Sequence, residues 1–163
     1  MFSKMFFLIT KFTLLFALFF FLSTYSYSKN FIDKGHYVID LNKRIEWLKC
    51  SAGQIWNDFE CDGQAVRLSL NEAEMLLPKI SEELGGYWRL PEKHELQSLI
   101  CEECKGSKID SEIFPNTPAE PYWTGDRNWW SPKFFWSVNF FTGHTYGRFT
   151  AEKELLVRFV RDR

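Results

Sequence analysis

The chain has 163 residues, 45% of them hydrophobic and 18% aromatic, with 20 basic against 21 acidic side chains. That length, with no Gly/Ser/Pro-rich linker and no internal repeat, excludes an array or a multidomain chain and suits one domain with one core. The near-neutral balance leaves no basic excess of the kind a nucleic-acid partner requires.

Residues 12–22 are apolar apart from Thr13, follow Lys4 and Lys11, and precede the small and polar run 23–28. A basic entry, a greasy centre and small residues at Ser26 and Ser28 predict a signal peptide over 1–28, cleaved after Ser28. The rival is a retained anchor, which needs about 20 apolar residues and reaches that length only by tolerating Lys11. No cysteine follows the cut to carry a lipid. Residues 29–163 are therefore expected as a single periplasmic or secreted domain with no stable membrane span. Charge is uneven within it: 29–126 holds 11 basic and 18 acidic residues, and 127–163 holds 7 basic and 3 acidic. If any surface attracts an anionic partner it is this last quarter, although attraction between the two parts within the fold explains the asymmetry as well.

In chain order, residues 37–40 and 45–49 alternate as two strands joined by the polar turn Asn42-Lys43-Arg44, a hairpin. Cys50, Cys61, Cys101 and Cys104 are all beyond the signal, and an even count in an exported chain predicts two disulfides. Three pairings exist, and proximity favours Cys50 with Cys61 and Cys101 with Cys104. Closing the first loop is worth about 2 to 3 kcal/mol through the entropy of the unfolded chain. Ser69 or Asn71 can cap a helix that carries Glu72 and Glu74 in its first turn and ends near Leu84, before Gly85-Gly86. Pro78 lies inside it and can kink it. An extended piece over 87–90 leads to Pro91, which fits the first position of a second helix with Leu96, Leu99 and Ile100 on one face. Cys101-Glu102-Glu103-Cys104 has redox spacing but follows this helix instead of opening one, so the helix dipole does not lower a thiol pKa. A four-cysteine zinc site is disfavoured because zinc ligands usually sit about two to four residues apart.

Strands follow over 122–124, 134–141, 144–149 and 155–160, with a Thr142-Gly143 turn between the second and third. Helices in the middle and antiparallel strands at both ends make an α+β domain. Of 20 aromatic residues after position 28, 11 fall within 122–149. Trp136, Val138 and Phe140 share one strand face, expected to be core, and Phe135, Ser137, Asn139 and Phe141 share the other. The loop 125–133, with Trp129 and Trp130, is the candidate aromatic platform, flanked by Arg127, Asn128, Tyr146 and Arg148. The structural alternative packs both tryptophans inward. Arg158 and Arg161 lie on opposite faces of the last strand, and Glu95 is the first candidate to pair with one of them.

Several motifs resemble, in order, the C-terminal domain of the Legionella collagen-like adhesin: Ile45-Glu46-Trp47-Leu48-Lys49-Cys50, Gly53-Gln54-Ile55-Trp56, Trp88-Arg89-Leu90-Pro91, Phe114-Pro115-Asn116-Thr117-Pro118, Tyr122-Trp123-Thr124, Trp136-Ser137-Val138-Asn139-Phe140 and Val157-Arg158-Phe159-Val160-Arg161. The resemblance implies a C-type-lectin-like domain, two helices packed on short antiparallel sheets and stapled by disulfides, related to formylglycine-generating oxidases. Better-understood relatives bind host glycans. The oxidases, the sulfatase-modifying-factor type, hold copper through a late pair of cysteines, and nothing after Cys104 is a cysteine. Trp56-Asn57-Asp58 before Cys61 matches a calcium tripeptide of sugar-binding lectins, but it precedes both helices and lacks the second oxygen cluster that about six to eight ligands require. His36, His94 and His144 form no catalytic motif. The expectation is a binding module for a glycan or protein ligand, using Trp129, Trp130, Tyr146, Arg148, Arg127 and Asn128, with no catalytic residue, metal or cofactor. A thiol redox enzyme and a homo-oligomeric subunit of a cell-surface assembly are the alternatives.

Overall fold

The computed structural model describes residues 30–163. The expected signal segment, 1–28, lies outside the described residues. The first hairpin forms where its alternation places it: β2 (Tyr37–Asp40) pairs antiparallel with β3 (Ile45–Leu48), with Val38 opposite Trp47. Asp40 builds the turn, since its Oδ1 accepts the N–H groups of Asn42 and Lys43 at 2.9 and 3.0 Å. Arg44 closes the turn at φ 58°, backbone that a non-glycine residue adopts only when the surroundings fix it. β1 (Phe31–Asp33) lies outside β2, and β9 (Val160–Asp162) lies beside β3, so the first and last strands join one sheet of order β1-β2-β3-β9. A two-stranded piece, β4 (Ile55–Trp56) and β5 (Cys61–Asp62), follows. The third sheet has the order β6-β7-β8: Pro121–Arg127, Phe135–Asn139 and His144–Phe149.

Helix α1 spans Leu70–Leu84, with Ser69 as its cap and Gly85 just past its end. The cap is reciprocal: Ser69 N–H donates to Glu72 Oε2 at 2.8 Å and Glu72 N–H donates to Ser69 Oγ at 3.3 Å. Pro78 sits within the helix without ending it. Only Leu70 and Ala73 are fully buried, while Leu76, Leu77 and Ile80 are half-buried against the core, so α1 is a surface helix with one face on the body. Helix α2 (Lys93–Gln97) is shorter than predicted, and Pro91 does not open it. Glu92 is the cap, while the Pro91 carbonyl accepts from Gly125 N–H at 2.9 Å and so belongs to the contact with β6.

The β6-β7-β8 sheet is covered on both faces. Tyr122, Val138 and Phe140 join Val38, Trp47, Leu96 and Phe114 in one core cluster, and Trp123 joins Leu70, Trp88, Leu90 and Phe159 in a second. This corrects the expected assignment of faces. Val138 and Phe140 are buried as predicted, but Trp136 is only half-buried and Ser137, on the opposite face, is fully buried. The second cluster covers the face that a single-core reading leaves to solvent.

The last strand also differs from the prediction of 155–160. Residues 155–160 are all buried, and their backbone is shared among many partners instead of one ladder. Leu155 bonds Leu68, Leu156 bonds Pro121 and Trp123, Val157 accepts from Ala52, and Phe159 accepts from Leu48. Only at Val160–Asp162 does a regular strand settle against β3. The arginine pairing is corrected too. Glu95 is held by Arg89, at 2.8 Å on each oxygen, while Arg161 takes Glu46 at 2.6 Å and stacks over Trp88 at 4.6 Å. Arg158 is fully buried, and its hydrogen bonds go to backbone carbonyls and hydroxyls.

Both disulfides join neighbours in sequence, Cys50 with Cys61 and Cys101 with Cys104, in a domain of mixed helix and mostly antiparallel sheet. The first closes a separation of 11 residues and the second of only 3. Replacing Cys50 and Cys61 with serine is expected to cost about 3 kcal/mol, and the Cys101 and Cys104 pair about 1 kcal/mol less, because loop-closure entropy grows with loop length. Urea midpoints of the two double variants check the order.

Candidate functional site

The loop between β6 and β7 is shaped by Asn128. Its Oδ1 accepts the N–H of Trp130 at 3.0 Å, its Nδ2 donates to the Gly147 carbonyl at 2.8 Å, and its own N–H donates to the Phe134 carbonyl at 2.8 Å. One side chain therefore folds the loop over and ties it to β8. Gly147 must remain glycine for this, since a Cβ there would stand 2.9 Å from both Asn128 Nδ2 and the Trp136 ring. The tip that results carries Trp129 and Trp130 stacked with ring centroids 3.6 Å apart, and they are 69% and 74% exposed. The alternative of inward-packed tryptophans does not occur.

Arg127 closes the base of the loop. Its Nη1 donates to the Pro132 carbonyl at 3.1 Å and its guanidinium lies 4.9 Å from the Phe135 ring. Arg148, exposed on β8, lies 4.9 Å from the half-buried Tyr146 ring. The six site residues thus fall into two groups, the tryptophan tip with Arg127 and Asn128, and the Tyr146–Arg148 pair. Asn128 links them through Gly147, the residue between Tyr146 and Arg148. Lys133 adds a third cation at the loop, 4.9 Å from the Phe134 ring. The surface is aromatic and basic.

Sequence reasoning missed a cleft of about 560 Å³ between α1 and the β4–β5 hairpin. Leu76, Ile80 and Leu84 line one wall, and Ala52, Ile55 and Trp56 line the other. The helical stripe at four-residue spacing was readable in the chain; what faces it was not.

The Asn57-Asp58 pair is used locally. Asn57 Oδ1 accepts from Phe59 and Glu60 N–H at 3.0 and 2.8 Å and its Nδ2 donates to Asp62 at 2.6 Å, a side-chain turn between β4 and β5. Among the described residues no group of three or more His, Cys, Asp or Glu side chains is arranged to hold a metal ion. The three histidines have separate surroundings. His94 sits 3.1 Å from Glu92, His144 meets the Thr142 carbonyl at 2.7 Å, and burial, with the charges of Arg161 and Lys49, holds His36 below the ordinary imidazole pKa.

Comparison with known protein families matches residues 36–161 to the Lcl C-terminal domain. The chain belongs to the Lcl C-terminal domain family. Neither the curated proteins nor the solved structures compared with it gave a match. Membership in this adhesin-derived family is consistent with a binding module. Among the described residues no helix of this Lcl C-terminal domain is long and apolar enough to cross a membrane.

Proposed function

We propose that this Lcl C-terminal domain is an exported binding module, of C-type-lectin-like architecture, that recognises a glycan or protein ligand at the β6–β7 loop and performs no catalysis. The observation that carries the reading is the solvent-facing stack of Trp129 on Trp130. Indole faces left in water forgo the burial that would stabilise the fold, and they stack well on sugar rings and on peptide side chains. Arg127 and Lys133, on the same loop or its edge, and Arg148 on β8 favour a ligand with negative charge. A periplasmic or extracellular location belongs to the same reading, as does the family's adhesin origin.

Binding of the purified chain to a glycan and protein array tests the site. Replacing Trp129 and Trp130 together with alanine is expected to weaken the strongest array signal at least tenfold, about 1.4 kcal/mol, with the thermal midpoint unchanged. Equal binding by the double variant removes the loop from the site. Light scattering distinguishes a monomeric binder from an assembly subunit that buries this patch against a copy of itself.

A further inference from the structure

The cleft under α1 is a second, separate place in the molecule, since none of its lining residues belongs to the tryptophan loop. Its volume, about 560 Å³, falls within the range of small-molecule pockets, roughly 300 to 1,000 Å³. The helix wall is a ridge of Leu76, Ile80 and Leu84, of which Leu76 and Ile80 rest partly on the core and Leu84 is 40% exposed. Leu48 and Phe159 form the floor, and Ile55, 74% exposed, stands at the rim.

The wall opposite the helix is fixed in advance. The Cys50–Cys61 bond closes the hairpin, and Gly53, at φ 90°, lies so close to Val66 that a Cβ on it would approach within 2.7 Å. A wall that is already ordered removes part of the entropy cost of binding. Trp56 belongs to this wall, and its indole Nε1 is buried without an acceptor.

Charge around the opening is balanced. Lys79 and Glu83, both lining the cleft, face each other at 3.9 Å, and the nearby Lys49 ammonium is taken by Asp33 at 2.7 Å and by the Trp56 ring at 4.1 Å. The Gln54 amide is also committed, accepting from Ser51 N–H and donating to the Asn116 carbonyl. What remains for a ligand is an apolar interior with the neutral imidazole of His36, one donor and one acceptor, at its edge. A free carboxylate or ammonium would leave water for a cleft whose nearby charges, Lys79, Glu83, Lys49 and Arg161, are each already paired, which is unfavourable.

We propose that this cleft binds an uncharged small molecule with one aromatic or branched aliphatic group and a hydroxyl end. The test follows methyl and indole N–H signals of the full chain by NMR during titration with indole-3-ethanol, and separately with indole-3-acetate. Saturable shifts at Ala52, Leu76, Ile80 and Trp56 are expected with the alcohol, at a dissociation constant of about 1 mM or tighter, and weaker ones with the acid. Ile80→Trp fills the cleft from the helix side and is expected to weaken binding at least tenfold. Ile55→Asp, at the exposed rim, supplies the same comparison should the tryptophan variant fail to fold. Absence of saturable shifts up to about 10 mM alcohol, undiminished binding in a folded variant, or tighter binding of the acid overturns the proposal.

Discussion

Replacing Arg158 with alanine is expected to cost about 4 kcal/mol of folding stability at pH 7, read as a lowered urea midpoint with an unchanged slope. The side chain is 0% exposed, at the point where the buried run 155–160 passes between the two core clusters. Nη1 donates to the carbonyls of Leu48, at 2.8 Å, and Lys49, and Nη2 donates to Thr117 Oγ1 at 2.6 Å and Ser51 Oγ at 3.5 Å. Ser51 in turn meets the Tyr122 hydroxyl at 2.7 Å, and the guanidinium lies 4.7 Å from the Phe114 ring. These acceptors are neutral dipoles and an aromatic face. Burial consequently pushes the guanidinium pKa down to about 10, still well above neutral pH, so the group remains charged.

Truncation to alanine would remove that cation but strand its acceptors in a dry interior, each at roughly 1 to 3 kcal/mol, and leave a cavity. Arg158→Met isolates the polar part, since it keeps most of the volume and offers no donor; about 3 kcal/mol is expected to remain. Arg158→Lys keeps the charge, but one ammonium cannot reach the Leu48 and Lys49 carbonyls and Thr117 together as a planar fork does. A loss below about 1 kcal/mol in the methionine variant would show that packing, not hydrogen bonding, is what Arg158 supplies.

The parts of this fold that could be read in the chain are those decided by neighbours in sequence. Asp40 and Arg44 make their turn within five residues, and Ser69 with Glu72 start α1 within one turn. Disulfide pairing by proximity belongs to the same class. The errors arose where distant segments choose among equals. Three arginines, Arg89, Arg158 and Arg161, stand within reach of the core, and nothing local says that Glu95 takes the first, Glu46 the third, and no carboxylate the second. Residues 155–160 read as one strand because all but Arg158 are apolar, yet burial on every side lets their backbone serve several segments at once.

The candidate loop shows the same division. Its aromatic content and its cations were visible, whereas the outward stack of Trp129 on Trp130 depends on Asn128 reaching across to Gly147. That link spans 19 residues and leaves no periodic trace.

Glu95, the most buried of the carboxylates paired with an arginine, should govern how the domain responds to acid. Glu95 is 5% exposed and receives Arg89 on both oxygens, while the Glu92 N–H donates to Oε2 at 2.7 Å. Arg89 continues to Asp162 at 2.6 Å, which joins α2, the 87–90 segment and β9 through one guanidinium. The Asp162 contact is largely exposed and contributes little, so the weight falls on Glu95. Glu95→Ala is expected to cost about 3 kcal/mol at pH 7, because it leaves Arg89 facing a buried, vacated site. Burial alone would raise the pKa of Glu95, but the Arg89 and Glu92 hydrogen bonds outweigh it and hold the carboxyl below the ordinary range. A carboxyl depressed in the folded state stabilises fully above its unfolded pKa of about 4.3, and that contribution is lost as pH falls through the lower folded value. Asp33, held down by Lys49 against its own burial, acts in the same direction. Unfolding free energy should therefore fall gently below about pH 6.5, where the unfolded His36 takes up a proton that the folded one resists, and more steeply below about pH 4.5, with Glu95→Gln starting lower and losing less in the steep part. Parallel acid curves for the two proteins would assign the drop to other carboxylates and reduce the Arg89–Glu95 pair to a contact without linkage to protons.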